Sequence, residues 1–277
     1  MLKKETLQFI SENNIQIDNA SDEHQLINEN MIKLLVNSLQ IQTTDNLLEI
    51  GPGAGNITVE LAATGAHIIA IEKNPKWLSI LKKRLYNYGN VEILQGDILK
   101  YYVPPFDAAI SNLPFSISEA FLQRLTHLKF KSASLIVPKT IGETLVAHEG
   151  ESYYSKLSLI SRLFFNSRII AEIPSEAYFP QPNTTTCILK IDSKPPEDVV
   201  EAVLGNILKQ NDKKLGNALR EALIQCSKQY EVPSTKKSAT TRSKIILGEL
   251  NPESRTGRLS LIDLIKLRSK LSLFLSV

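Results

Sequence analysis

From residue 27 to about 137 the chain repeats one pattern, a short apolar run followed by an amphipathic stretch. That alternation restricts the segment to a mostly parallel sheet with helices against its faces. The spacing predicts a helix over 27–39, strand one over 46–50 and its following helix over 56–63. Strand two is expected over 66–72, a helix with proline in its first turn over 75–88, and strand three over 91–95. Strand four falls at 107–111, a helix at 117–125 and strand five at 134–137. Two later runs rich in β-branched residues, 169–173 and 184–191, have connections that suit an antiparallel edge. The fold class is α/β, a Rossmann-like doubly wound sheet.

The pattern stops at Ser193-Lys194-Pro195-Pro196, because two consecutive prolines cannot continue a strand ladder. Residues 1–194 are therefore one expected domain, and 195–277 a small all-helical one with helices near 197–209, 214–229, 239–249 and 260–273. Charge divides at the same place, with +5 on the helical tail and −2 on the body. A basic tail suits a polyphosphate partner, since each cation that neutralises a phosphate releases counterions; it equally suits a solvated helix face. No apolar run reaches the ~18 residues needed to span a bilayer, which predicts a soluble, cytoplasmic protein. Cys187 and Cys226 have no second pair near them, and His67, His127 and His148 lack ligand spacing, so neither disulfides nor a metal site is expected.

Strand one runs into Glu49-Ile50-Gly51-Pro52-Gly53-Ala54-Gly55-Asn56, three glycines at alternate positions between strand and helix. Glycine lets the chain turn sharply and lets a ligand approach the backbone. A dinucleotide site wants glycine at the first, third and sixth positions, and here the sixth is Asn56. The spacing favours S-adenosylmethionine over NAD. Glu72 ends strand two, where a carboxylate can accept both ribose hydroxyls, and Asp97 follows strand three, where it can accept from an adenine amine while Ile98 packs on the ring. An isolated acid at a strand end is more often a helix cap or solvated; three features at successive strand ends point to one cofactor site.

Strand four ends in Ser111-Asn112-Leu113-Pro114-Phe115, at the same rim. Pro114 holds Leu113 extended, so that the Asn112 side-chain oxygen and the Leu113 carbonyl can each accept one N–H of an exocyclic amine. An amine conjugated with a ring is a poor nucleophile. Two in-plane acceptors favour positive charge on it and fix its direction, and Phe115 can stack on the base. Tyr153-Tyr154 can stack bases or serve a structural role, and Trp77 is either a packing residue or a border of the adenine site.

With these residues the chain resembles the ribosomal RNA adenine N6-dimethyltransferases, the small-subunit dimethyltransferases and the erythromycin-resistance methylases. Further markers of the resemblance are Tyr154-Ser155-Lys156-Leu157-Ser158 and Phe179-Pro180-Gln181-Pro182. The resemblance implies transfer of two methyl groups from S-adenosylmethionine to adenine N6. It also implies cofactor contacts by His24, Leu26, Gly51, Glu72, Asp97 and Asn112, beside the Gly53 and Ile98 contacts read from the residues, and a helical domain that binds RNA. Ribosomal RNA or a pre-ribosomal subunit is the implied partner, and the chain is read as a monomer. Gly51-Pro52-Gly53 and Asn112-Leu113-Pro114 lie closer to the small-subunit branch.

The chain departs from the family's pattern at Asp22-Glu23, Gln25, Pro138-Lys139-Thr140, Thr144 and the weakly basic Asn211-Asp212-Lys213-Lys214. These departures keep three alternatives open: a large-subunit methylase, an amine methyltransferase with a non-RNA substrate, and a non-catalytic RNA-binding assembly factor.

Overall fold

The computed structural model describes residues 2–13, 15, 23–227, 229–230 and 235–275, so Asp22 lies outside the described residues. The chain forms two compact units, residues 1–153 with 165–193, and residues 154–164 with 194–277.

Among the described residues the first unit holds nine strands: β1 Gln25–Leu26, β2 Asn46–Ile50, β3 His67–Glu72, β4 Val91–Gln95, β5 Ala108–Asn112, β6 Ser132–Pro138, β7 Phe165–Ile173, β8 Tyr178–Phe179 and β9 Thr186–Ser193. Its helices are α1 Leu2–Glu12, α2 Glu29–Asn37, α3 Asn56–Ala62, α4 Pro75–Arg84, α5 Ser118–Leu125 and α6 Lys139–Val146. Seven strands make one sheet in the order β4-β3-β2-β5-β6-β9-β7. The first five are parallel, and β9 and β7 close the edge antiparallel. Leu26 and Gln25 pair separately with Tyr178 and Phe179.

Strand β2 shows why these segments pair as they do. Leu47, Leu48 and Ile50 are all buried, as a central parallel strand covered on both faces requires. Leu47, Ile68, Ala70 and Ile110 pack with Ile32, Leu35 and Val36 of α2 and with Ile57 and Leu61 of α3. Helix starts follow from their caps: Asn28 Oδ1 accepts from the N–H groups of Asn30 and Met31, and Asn74 Oδ1 accepts from Lys76 with Pro75 in the first turn. Asp107 stays outside β5 because its carboxylate accepts the Asn46 N–H at 2.9 Å and pairs with Lys131 at 3.0 Å.

The sheet order places a switch point between β2 and β5: the chain builds outward through β3 and β4, then returns to the other side of β2. Open sheets bind ligands in the crevice beyond the carboxyl ends of strands at such a point.

The second unit consists of α7 Lys156–Phe164, α8 Val199–Leu208, α9 Leu215–Ser227, α10 Lys236–Leu247 and α11 Leu261–Leu275. Leu159 and Leu163 of α7 join Val203 and Ile207 of α8, Leu219 and Leu223 of α9, Ile246 of α10, and Leu264, Leu267 and Leu271 of α11 in one core. This corrects the boundary expected from the prolines alone. Residues 154–164 belong with the helices, because the i, i+4 leucines of α7 are buried in that core. Tyr154 packs against the same core, whereas Tyr153 is half exposed. Among the described residues no helix is long and apolar enough to cross a membrane.

Candidate active site

A cavity of about 460 Å³ opens at the carboxyl ends of β2, β3, β4 and β5. The glycine turn forms one wall. Gly51, Gly53 and Gly55 have φ of 61°, 54° and 81°, a region that costs any other L-residue ~1–2 kcal/mol. At Gly53 a Cβ would also stand 2.5 Å from Gln25 Oε1, so the Gln25 amide would have to leave its place against the turn.

The turn's own N–H groups are engaged within the protein. Gly51 donates to the Ile71 carbonyl (2.9 Å) and Gly55 to that of Pro52 (2.8 Å). Gly53 donates to Glu72 Oε2 (3.1 Å) and Ala54 to Gln25 Oε1 (2.9 Å). A pyrophosphate cradle needs such donors free to face the ligand. The turn is therefore unsuited to a dinucleotide, in agreement with its glycine spacing.

Glu72 is 5 % exposed, and its other oxygen accepts the Asn74 N–H at 2.7 Å. Burial pushes its carboxyl up, the N–H groups of Asn74 and Gly53 pull it back, and the charge of Glu23 adds to the rise. Glu23 is itself fixed, accepting from Trp77 Nε1 at 3.1 Å and from Asn74 Nδ2 at 2.8 Å. Trp77 thus packs in the core, 1 % exposed, while also bordering the cavity. Asp97 accepts from the Leu99 N–H at 3.0 Å and pairs with Lys73 at 3.1 Å; these two contacts, in that order, hold it below the usual carboxylate range. Asp97 thus closes a turn, not a helix, and lines the cavity as well. Ile98 lines the same wall, and Arg124 of α5 braces the turn by donating to the carbonyls of Leu99 and Tyr101. Glu23, Glu72 and Asp97 leave this wall net negative against Lys73, which suits an uncharged ribose and a cationic sulfonium better than a phosphate.

On the opposite wall, Asn112 Nδ2 donates to the His24 carbonyl at 2.6 Å. A carbonyl only accepts, so the amide orientation is fixed and Oδ1 points the other way. That Oδ1 is buried and has no partner among the described residues. Buried acceptors are ordinarily paired, so this atom is one that a ligand donor would satisfy. His24 Nδ1 lies 2.9 Å from the Pro180 carbonyl, which makes Nδ1 the donor. The His24 and Phe115 rings stack at 5.4 Å and 26°. Leu113 is 1 % exposed and Leu26 2 %, and the Leu26 carbonyl accepts from Asn56 Nδ2 at 2.8 Å. The structure thus gathers His24, Leu26, Gly51, Gly53, Glu72, Asp97, Ile98, Asn112, Leu113, Pro114 and Phe115 around one cavity.

Three residues gain a role here that their sequence context does not announce. Gln25 and Glu23 read as rim departures, yet Gln25 buttresses the glycine turn and Glu23 ties Trp77 to the loop after β3. Glu49 lies under the turn, 1 % exposed, with neither carboxylate oxygen hydrogen-bonded among the described residues. Burial pushes it up to about 8, the nearby Thr58 hydroxyl works against the rise and the charge of Glu72 adds to it. Among the described residues, His, Cys, Asp and Glu form no group of three suited to a metal.

Comparison with known proteins decides the family, because the profile for ribosomal RNA adenine dimethylases matches residues 18–238. The chain is a member of the ribosomal RNA adenine dimethylase family. A probable ribosomal RNA small subunit methyltransferase A of Thermococcus sibiricus is 35 % identical over 193 residues, 70 % of each chain. The corresponding Methanosphaera stadtmanae protein is 28 % identical over 241 residues, 85 % of this chain and 89 % of its own. Among solved structures, a dimethyladenosine transferase from Plasmodium falciparum aligns with a TM-score of 0.62 at 27 % identity, covering 90 % of this chain and 98 % of its own. The 23S rRNA methyltransferase ErmE shares the fold at a TM-score of 0.60 and 17 % identity, over 89 % of this chain and 99 % of its own. Adenine dimethylases of this family are S-adenosylmethionine-dependent methyltransferases.

Proposed function

We propose that this adenine dimethylase transfers two methyl groups from S-adenosylmethionine to N6 of an adenine in small-subunit ribosomal RNA, and that the cavity described above is its active site. The observation that carries the proposal is the buried, unpartnered Asn112 Oδ1, held in orientation by the His24 carbonyl at the same cavity as the glycine turn.

S-adenosylmethionine, when bound, supplies an electrophilic methyl group. Glu72 would hold its ribose hydroxyls, since each carboxylate oxygen can accept a second hydrogen bond beside its backbone donor. Asp97 and Ile98 would meet the adenine of the cofactor, and Gly51 and Gly53 would let it approach the backbone. Asn112 Oδ1 and the Leu113 carbonyl would accept the two N–H bonds of the target amine. Positive charge developing on that nitrogen is favoured by these acceptors, and no strong base is needed, because the product amine loses its proton after transfer. Phe115, backed by the His24 ring, would cover the face of the target base. A base reached in this way must be unpaired or extruded from its stack.

The helical unit is the proposed RNA-binding part, with a net +5 over residues 195–277. Lys213 pairs with Glu221 and Lys214 with Glu253, so the excess positive charge is carried by other cations of the unit. The departures at Glu23 and Gln25, which kept a non-catalytic assembly factor open, are hydrogen-bonded into the cofactor wall and so favour an enzyme.

The test is incubation of the purified protein and S-adenosylmethionine with small subunits and, in a parallel reaction, large subunits, both lacking the modification, followed by mass spectrometry of the nucleosides. Dimethyladenosine in the small-subunit RNA is the expected product. Its absence, with methylation appearing in large-subunit RNA instead, would transfer the assignment to the other branch.

A further inference from the structure

The glycine turn is held from behind by a residue that does not face the cavity. Arg84 is the last residue of α4, and its side chain is 5 % exposed. Its Nη1 donates to the Ala54 carbonyl at 2.6 Å and to Asn56 Oδ1 at 2.7 Å. Asn56 begins α3, lines the cavity and passes the connection on through Nδ2 to the Leu26 carbonyl. The peptides at Ala54 are thus fixed on both sides, the N–H by Gln25 and the carbonyl by Arg84.

A guanidinium at the first turn of α3 stands where the helix dipole is already positive. Burial also works against its charge, and the counter-charge is Glu5 of α1, 3.2 Å from Nη2. Helix α1 adds three more contacts to the same cluster. The Phe9 ring lies 5.2 Å from the guanidinium carbon, the Thr6 hydroxyl lies 3.1 Å from Asn56 Oδ1, and Ile10 shares an apolar cluster with Ala54 and Trp77.

We infer that α1 is a strap whose docking, transmitted through Arg84 to Ala54 and Asn56, sets the affinity of the glycine turn for the methyl donor; Arg84 is a positioning residue and Glu5 its electrostatic anchor. The inference rests on the cofactor reading of the cavity. Ordering the turn before the ligand arrives lowers the entropic cost of binding, and the strap and the ligand then favour one another reciprocally.

The test compares wild type, Glu5→Gln and Arg84→Lys by calorimetry with S-adenosylmethionine, by steady-state kinetics, and by amide exchange over residues 2–12 with and without the cofactor. Glu5→Gln removes a half-exposed counter-charge and is expected to raise the cofactor Kd about threefold. Arg84→Lys loses the fork that spans Ala54 and Asn56 and is expected to raise it about tenfold. For Glu5→Gln, the KM for RNA and kcat at saturating cofactor stay at wild-type values, and in wild type the cofactor slows exchange in α1. A cofactor Kd for Glu5→Gln equal to wild type, or exchange in α1 indifferent to the cofactor, overturns the inference and leaves the active site standing. A wild-type protein that does not bind S-adenosylmethionine overturns the active-site reading, and this inference with it.

Discussion

Glu49 is a carboxyl group buried beneath the glycine turn, and it gives the fold a pH dependence that can be worked out in advance. Its pKa rises from an ordinary 4.5 to about 8, chiefly by desolvation. The folded state therefore binds this proton more tightly than the unfolded chain. The associated stability is complete below pH ~4.5 and is lost progressively until the pH passes ~8. Each tenfold difference in proton affinity between the two states corresponds to ~1.4 kcal/mol, so between pH 5 and pH 8 the loss from this one group is about 3–4 kcal/mol. Glu49→Gln keeps the shape and abolishes the titration. Urea denaturation of both proteins at pH 5, 6, 7 and 8 separates Glu49 from every other titrating group, because all the others are common to the pair. Wild type is expected to lose stability relative to Glu49→Gln as the pH rises, by about 3–4 kcal/mol over this range. Parallel stability curves would refute the reasoning and mean that Glu49 is solvated or paired in solution.

Gly53→Ala forces a Cβ against Gln25 at φ 54°. It is expected to cost ~2 kcal/mol of stability in thermal melts and to weaken S-adenosylmethionine at least about tenfold by calorimetry, as the Gln25 to Ala54 bond is displaced. Asp198 Oδ1 accepts the Glu201 N–H at 2.7 Å and caps α8. Asp198→Ala is expected to lower stability by ~1 kcal/mol in urea titration without changing the cofactor Kd.

The parts of the fold that could be read from the sequence are those whose signals are local. Strands 46–50 and 91–95 coincide with β2 and β4, because an apolar run bounded by turn residues needs no distant partner to declare itself. The strand expected over 66–72 begins one residue later, at His67, and helix starts such as those at Glu29 and Pro75 are decided by the caps Asn28 and Asn74. Helix α1 was not legible: only Thr6 and Ile10 among its residues are buried, and what docks it is Arg84, 79 positions from Glu5. Helices α6 and α7 are hidden in the sequence for a related reason, since their leucines acquire a face only against strands and helices distant in sequence.

The cavity followed the same division. Gly51, Glu72, Asp97 and Asn112 each end or follow a strand, so their convergence follows from a parallel sheet, and the spacing alone suffices to see it. The roles of Gln25 and Glu23 required coordinates. Their partners lie 29 positions away at Ala54 and 54 positions away at Trp77, and a glutamine or glutamate before a helix says nothing of either. The burial of Glu49 was likewise invisible, because an acidic residue beside a glycine turn reads as a ligand contact until its neighbours are known.

The central claim is that Asn112 Oδ1 orients the target amine while the glycine turn and Glu72 hold the methyl donor. Asn112→Ala tests it most directly, with methylated adenosine in small-subunit RNA measured by mass spectrometry and S-adenosylmethionine binding measured in parallel by calorimetry. Loss of methyl transfer by about 10²–10³-fold with cofactor binding retained is the expected result. Undiminished methylation by the variant would contradict the account.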